Sequence, residues 1–546
     1  MKKLCAIFFL LIFLASCKDD PEPQTGSKNF TLTKFSIDDR AQSASYTDVS
    51  LNPIIKLTFS EKIDVTSAAA EILLLQSNGN HIPLSLSLAD NDSTVVVSPS
   101  SPLAHLTRYT LVVQETLLSQ TKKEFGSVVE ISLSTILDPA DKFTRISDEA
   151  LMDSVQRRTF KYFWNFGHPA SGMARERNTS GDIVTTGGTG FGLMAMIVAI
   201  ERGFITRDQG VQRLGKILAF LETADRFHGA WSHWVNGQTG RVVPFSANDN
   251  GGDLVETAFL VQGLLTFRQY LDAAIPAEFL LIEKINALWH GVEWDWYTQG
   301  GKSVLYWHWS PDKNWVMNHQ IKGYNEALIV YVLAASSPTH SISASVYHDG
   351  WASNGAIKNN KKFYDITLPV GFDFGGPLFF AHYSFLGLDP RNLQDQYANY
   401  WTQNVNHSLI NYRYSVDNPK NFAGYSEDSW GLTASDNQSG YSAHSPTNDL
   451  GVITPTAALS SMPYTPEESM RAMRFFYYKL GNRLWGQYGF YDAFNISQVW
   501  FANSYLAIDQ GPIIVMMENH RTGKLWVLFM SAPEVRAGLT KLSFTY

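Results

Sequence analysis

The sequence predicts a small all-β sandwich followed by a large all-α domain whose helices pack in two concentric layers as an α/α barrel. Three observations predict it. Short β-branched runs separated by turn residues fill the region from Asn29 to about Ile136. All 15 tryptophans lie from Trp164 onward. Beyond that point, segments that are apolar on every side alternate with amphipathic ones. A helix apolar all round must be buried, whereas one with a polar face lies outside.

The chain begins with a basic pair, Lys2 and Lys3, an apolar run from Ala6 to Ala15, and the close Leu14-Ala15-Ser16-Cys17. This reads as a secretion signal over residues 1–16, too short for an ordinary membrane-spanning helix, with Cys17 as a lipidated first mature residue. Lys18-Asp19-Asp20 resembles the acidic export tag of surface-displayed lipoproteins. The expected location is therefore the outer membrane on its cell-surface side, with the periplasmic face as the alternative. Residues 17–28 read as a tether. The other cysteine, Cys5, lies inside the signal, so the mature fold has no thiol for a disulfide, a nucleophile or a zinc-thiolate site. Net charge is −8 with no Lys/Arg-rich block, which argues against a nucleic-acid partner. A monomer is expected.

Residues 29–137 contain Ile54 to Phe59, Glu71 to Leu75, Ser93 to Val97, Tyr109 to Val113 and Ile131 to Thr135, each a strand-like run. Asp138-Pro139-Ala140-Asp141 reads as a linker. The helical domain, residues 143–546, opens with a helix after Ser147. Gly190 to Ile200 and Leu254 to Phe267 are apolar nearly all round, and Thr206 to Thr223 and Glu278 to Trp289 are mixed. Periodicity alone leaves a helical solenoid as an alternative to the barrel.

The strongest chemical constellation is Asn248 to Ala258. Asn250-Gly251-Gly252 breaks the chain, Asp253 stands where a helix begins, and Glu256 follows three residues on. One reading is a capping box. The other is a pair of carboxylates at the mouth of a barrel, costly there unless used or paired. Glu326 and Asp509 repeat the device of an acid beside a glycine break opening an apolar helix. Hydrolysis of a glycosidic bond needs two such groups, one protonated and one ionised. Tryptophans 231, 234, 294, 296, 307, 309 and 315 are dense in loop-like stretches, and sugar rings offer C–H faces to indole. At least half are expected in the core and the rest along a sugar cleft. No metalloprotease, P-loop or EF-hand pattern occurs, the histidines lack ligand spacing, and Gly187-Gly188-Thr189-Gly190 lacks the βαβ context of a nucleotide site. No cofactor or metal is expected.

Thr186 to Phe191, Gly323-Tyr324-Asn325-Glu326, Ser337 to His340, Trp430 to Asp436, Pro455 to Ala458, Gly489 to Phe494 and Ile508 to Pro512 resemble the glucoamylase-like family. Its characterised branch is glycoside hydrolase family 144. The region from Asn29 to Ile136 resembles a bacterial immunoglobulin-like domain, notably over Leu57 to Ile63. The first resemblance covers about residues 145–546 and implies an (α/α)6 barrel that hydrolyses β-1,2-glucan to sophorose or short β-1,2-glucooligosaccharides. It implies inversion without a metal, with paired carboxyls roughly 6.5 to 9.5 Å apart. It points to Glu256, Glu326, Asp253 and Asp509 for catalysis, with Glu256 or Glu326 as general acid. For substrate binding the expected set is Asp249, Asp436, Trp231, Trp234, Trp309, Tyr324 and Trp430. Asp253 and Glu256 stand where the related domain of cyclic glucan synthases more often has Ser-Thr-x-Asp. The partner expected is a glucan; the alternatives are a hydrolase of another glucan and a surface glycan-binding lipoprotein without turnover.

Overall fold

The computed structural model describes residues 29–546; the signal, the tether and Cys17 lie outside them. The chain divides into two compact units, one ending at Ile136 and one spanning Leu137–Tyr546.

Among the described residues the first unit has nine strands, β1 (Leu32–Ile37), β2 (Ser45–Val49), β3 (Ile55–Phe59), β4 (Ile72–Gln76), β5 (His81–Ile82), β6 (Leu84–Ala89), β7 (Thr94–Pro99), β8 (Arg108–Val113) and β9 (Val129–Thr135). They form one sheet in the order β1-β3-β7-β6 and a second in the order β2-β9-β8-β4-β5. All pairings are antiparallel except β2 with β9. Alternate residues of β3 (Ile55, Leu57, Phe59) and of β8 (Tyr109, Leu111, Val113) enter one shared core. Period-two burial of this kind is what two packed sheets require. A helix, α1 (Val65–Glu71), is capped by Asp64, which accepts from the N–H groups of Thr66 and Ser67.

The second unit is mostly helical. Its longer helices are α2 (Asp148–Trp164), α3 (Thr186–Glu201), α4 (Arg207–Leu221), α5 (Leu254–Tyr270), α6 (Pro276–His290), α7 (Leu328–Ser336) and α8 (Tyr400–Asp417). They continue through α9 (Pro455–Ser460), α10 (Pro466–Tyr478), α11 (Gly481–Leu484), α12 (Ala507–Thr522), α13 (Lys524–Met530) and α14 (Pro533–Lys541). The segment expected as a linker is pinned to this unit: Asp141 pairs with Arg145 at 2.6 Å and Lys479 at 2.7 Å. The Ser147 hydroxyl caps α2 by accepting from Ala150 N–H, and α4 carries a full capping box between Thr206 and Gln209.

Helices α3, α5, α7, α9 and α12 are buried nearly along their whole length. Helix α3 packs between α5 and α12, α5 also meets α7, and α12 also meets α9. Helices with one polar face, among them α4, α10 and α14, pack behind these. Glycine decides how close the central pair comes. A Cβ on Gly190 would lie 2.1 Å from the Phe259 carbonyl oxygen, and one on Gly263 would lie 2.2 Å from that of Gly190. Helices α3 and α5 therefore cross backbone to backbone, which no larger residue at either position permits. The approach sets the ends of both helices side by side. Leu260, Leu264 and Leu265 are fully buried near this crossing and contribute roughly 1.5–3 kcal/mol each.

Candidate active site

The first turn of α5 organises the site. Gly252 and Asp253 pair with Trp309 and His308 in a two-residue ladder, so the chain enters the helix held on both sides. Asp253 is buried, and its Oδ1 accepts from the N–H groups of Val255 and Glu256, both at 2.9 Å. The capping reading of Asp253 is thus correct, but only for one of its oxygens. Its Oδ2 accepts from Trp307 Nε1 at 3.1 Å and lies 3.3 Å from His233 Nδ1.

Glu256 does not close the capping box. Its Oε2 accepts from the Gly187 N–H at 2.7 Å and from the Thr185 hydroxyl at 3.4 Å, while Oε1 lies 3.8 Å from His233 Nε2. Gly187 stands in the first turn of α3, where unpaired N–H groups and the helix dipole favour a carboxylate. A Cβ there would come within 2.6 Å of Glu256 Oε2, so glycine is what allows the contact. Burial pushes the Glu256 carboxyl up, opposed by the His233 imidazolium and by the Gly187 and Thr185 donors; the Asp253 charge adds to the rise. For His233 the balance is reversed. Burial works against the imidazolium, but Glu256 and Asp253 outweigh it and lift the ring to about 9.

Glu326 precedes α7, as its place after a glycine break predicts. The Ser384 hydroxyl holds this turn, accepting from Ile329 N–H at 3.0 Å and donating to the Glu326 carbonyl. Burial lifts the Glu326 carboxyl to about 7; its own backbone N–H opposes, and the charges of Asp253 and Glu256 reinforce the rise. Glu256 and Glu326 line one cavity of about 460 Å³, walled by Trp234, Phe245, Trp307, Phe379, Tyr383 and Tyr441 among others.

A second acidic group adjoins the cavity through Arg177, one of its lining residues. Arg177 Nη1 lies 3.2 Å from both Asp436 oxygens, and its Nε donates to Glu176 at 3.0 Å. Asp436 also accepts from the Ser504 hydroxyl at 2.6 Å and donates its N–H to Asp492 Oδ2 at 2.7 Å. Asp509, at the start of α12, is buried with Asp492 beside its carboxyl. Burial and the neighbouring Asp492 push it well up; burial and Asp436 lift Asp492 to about 7. The upward shifts of Asp492 and Asp509 favour their protonated forms, which lessens the stacking of buried negative charge. Arg177 and Tyr441 also line an adjoining hollow of about 550 Å³ that carries Trp500 and Phe501, so a groove continues beyond the cavity.

Of the aromatic residues expected to meet substrate, Trp234 lines the cavity. Three others are core. Trp231 is fully buried beneath Arg226, its indole N–H directed to the Leu221 carbonyl; Trp430 donates to Glu468 O at 3.1 Å; Tyr324 donates to Asn404 Oδ1 at 2.7 Å. Each large ring with a polar tip found an internal partner, which makes full burial affordable. Trp309 is half-buried with its edge against Trp296 and His228 and is not part of the cavity wall. Asp249 lies 3.1 Å from His308 Nε2 in a tight turn with Ser246, set back from the wall. Sequence reasoning missed His233, Arg177, Tyr383, Tyr441 and Asp492. His233 had one legible sign, its place between Trp231 and Trp234; the tyrosines come from irregular segments that carry no pattern.

The family model described as "Putative glucoamylase" matches residues 318–533, one for a bacterial Ig-like domain matches residues 27–135, and one for a family of unknown function matches residues 154–255. The structure of an endo-β-1,2-glucanase from Chitinophaga pinensis, in complex with sophorotriose and glucose, is 55% identical with a TM-score of 0.72. It covers 74% of this chain and is itself covered over 99% of its length. The chain belongs to the glucoamylase-like family, of the glycoside hydrolase family 144 type. Another relative in this family is an exo β-1,2-glucooligosaccharide sophorohydrolase from Parabacteroides distasonis, 48% identical over 420 residues and 73% of this chain. The chain spans 58% of the length of that curated relative. A β-1,2-glucanase structure from the same organism has 39% identity and a TM-score of 0.72, matching 94% of this chain and 73% of its own.

Proposed function

We propose that this glucoamylase-like protein hydrolyses β-1,2-glucan or β-1,2-glucooligosaccharides, releasing sophorose or short oligosaccharides with inversion at the anomeric carbon. The observation that carries the reading is that Glu256 and Glu326 line one aromatic-walled cavity, Glu256 against the His233 ring and the Gly187 N–H and Glu326 lifted to about 7 by burial. Glu326, lifted to about 7 with no cationic partner among the described residues, keeps a proton and donates it to the glycosidic oxygen as the bond to the anomeric carbon breaks. Glu256, facing the His233 imidazolium and the Gly187 N–H, is the carboxylate that takes a proton from the attacking water. Asp253 positions Glu256 and its neighbour His233, capping the helix that carries the first and lying 3.3 Å from Nδ1 of the second. Asp509 sits behind Ile508, a wall residue, and is itself no part of the wall. Trp234, Phe245 and Trp307 offer ring faces to sugar.

The relatives' printed activities support β-1,2 linkage, and the alternation of buried and half-exposed helices supports an (α/α)6 barrel. A reducing-end assay on a panel of glucans tests the substrate, and NMR of the first-formed product tests inversion. Turnover of an α-glucan but not of β-1,2-glucan would replace the proposed substrate. Binding without product from any glucan would replace hydrolysis with glycan capture. We further propose a monomer tethered to the outer membrane through a lipid on Cys17. Labelling with a fatty-acid analogue, lost in Cys17→Ala, tests the anchor, and light scattering on the soluble form tests the monomer.

A further inference from the structure

A second aromatic cleft lies apart from the catalytic cavity and shares no lining residue with it. Its volume is about 560 Å³, and Trp296, Trp315, Glu293, Asp295 and His340 stand around it. Trp296 is 40% exposed, unusual for the largest apolar side chain in a domain that buries six other tryptophans completely. One face of its ring is backed by the His228 imidazole, 3.7 Å away and 14° from parallel. Trp309 meets both rings edge-on, at 6.1 and 4.7 Å. The indole is thus fixed in orientation with its other face left to solvent. Trp315 stands 6.4 Å away, tilted by 32°, and is itself held edge-on by Tyr297 and Tyr306.

The polar groups around these rings are also fixed. Glu293 Oε2 pairs with His228 Nδ1 at 2.8 Å, while Asp295 Oδ1 accepts from the Trp296 N–H at 3.0 Å and faces His340 Nδ1 at 3.1 Å. In each carboxylate the second oxygen has no hydrogen-bond partner among the described residues, leaving an acceptor for a hydroxyl. The turn beside them, Gln299-Gly300-Gly301, runs through three successive left-handed residues, φ 53°, 83° and 89°, which folds the chain back and leaves the cleft open.

We propose that this cleft is a second, non-catalytic binding site for a neutral glucan chain, with Trp296 as the platform and Glu293 and Asp295 as hydroxyl acceptors. Flat rings select the C–H face of a pyranose, and two carboxylates repel uronates and sulfated sugars, so the occupant is an uncharged polysaccharide. Within this protein that is a segment of the same β-1,2-glucan chain, and the inference rests on the proposed function to that extent. Its consequence is a gain in local concentration: a polymer held at Trp296 presents its remaining length to the cavity.

The test compares wild type, Trp296→Ala and Trp296→Tyr on polymeric β-1,2-glucan and on a β-1,2-linked tetrasaccharide. In Trp296→Ala the polymer KM rises about fivefold or more while kcat/KM for the tetrasaccharide stays within about twofold. Trp296→Tyr, which keeps a flat ring, restores most of the polymer affinity. An unchanged polymer KM in Trp296→Ala overturns the inference and leaves the proposed function standing. An equal loss on both substrates also overturns it, since Trp296 would then serve the catalytic cavity. A wild type inactive on both substrates and unable to bind the polymer overturns the inference together with the proposed substrate.

Discussion

Replacing Glu326 with Gln should abolish most activity and, at alkaline pH, make the protein more stable. In the unfolded chain this carboxyl ionises near 4.5; in the fold it is lifted to about 7. Between those values the folded state binds more protons than the unfolded one, so stability falls as pH rises through this window, and the full penalty is present above it. At about 1.4 kcal/mol per pH unit the ionised side chain costs about 3 kcal/mol in the folded state. Glutamine has the shape of the protonated acid and no charge, so Glu326→Gln escapes this cost near pH 8.5, while near pH 5 the difference shrinks to under about 1 kcal/mol. In a unit this large each kcal/mol moves the midpoint by about 1–2 °C, so the variant should melt about 3–6 °C above wild type at the higher pH. The assay is a pair of thermal melts at the two pH values, with hydrolysis measured alongside. Loss of the proton donor lowers kcat by about a hundredfold or more, and in wild type kcat declines as pH rises through about 7. A variant that melts no higher than wild type near pH 8.5 would mean that Glu326 ionises like an exposed carboxylate. Its assignment as the acid would then fail.

Other substitutions probe the remaining parts of the site. Gly187→Ala places a methyl group 2.6 Å from Glu256 Oε2 and should lower kcat about tenfold or more by displacing that carboxylate; circular dichroism checks that the helices persist. His233→Gln removes the cation beside Glu256 and Asp253, so the acidic limb of the pH–rate profile should move up by about one pH unit or more, read from kcat/KM against pH. Trp231→Phe and Trp234→Ala should separate core from cleft. The first lowers the melting midpoint through a void of about 1–3 kcal/mol with KM retained, while the second raises KM for oligosaccharides with the midpoint little changed.

Much of the fold is legible because burial leaves a periodic trace. The runs at Ile54 to Phe59 and Tyr109 to Val113 alternate every two residues and fall on β3 and β8. Leu254 to Phe267, apolar all round, falls on the fully buried part of α5. The Ser147 and Thr206 caps mark helix starts within a residue. Strands β1, β2 and β6 were not recognised, since their serine-rich or charged faces dilute the alternation. Asp253, Glu256, Glu326 and Asp509 stand out in the sequence because an acid beside a chain break at the start of an apolar helix is costly without a use, and the structure brings Glu256 and Glu326 to one cavity. Choosing among tryptophans failed for Trp231 and Trp430, because a loop-like neighbourhood of Gly, Ser and Ala surrounds core and cleft rings alike.

By itself the sequence determined where the strongly periodic strands and helices lie, which helices must be enclosed, and which carboxylates stand at helix starts, since each depends on neighbours within a turn or two. It could not divide the acid and base roles between Glu256 and Glu326. The proposed division rests on Gly187 and His233 facing one carboxylate and on no cation facing the other among the described residues. Desolvation and Coulomb forces act through space and not along the chain, so only the packed tertiary structure decides which carboxyl keeps its proton.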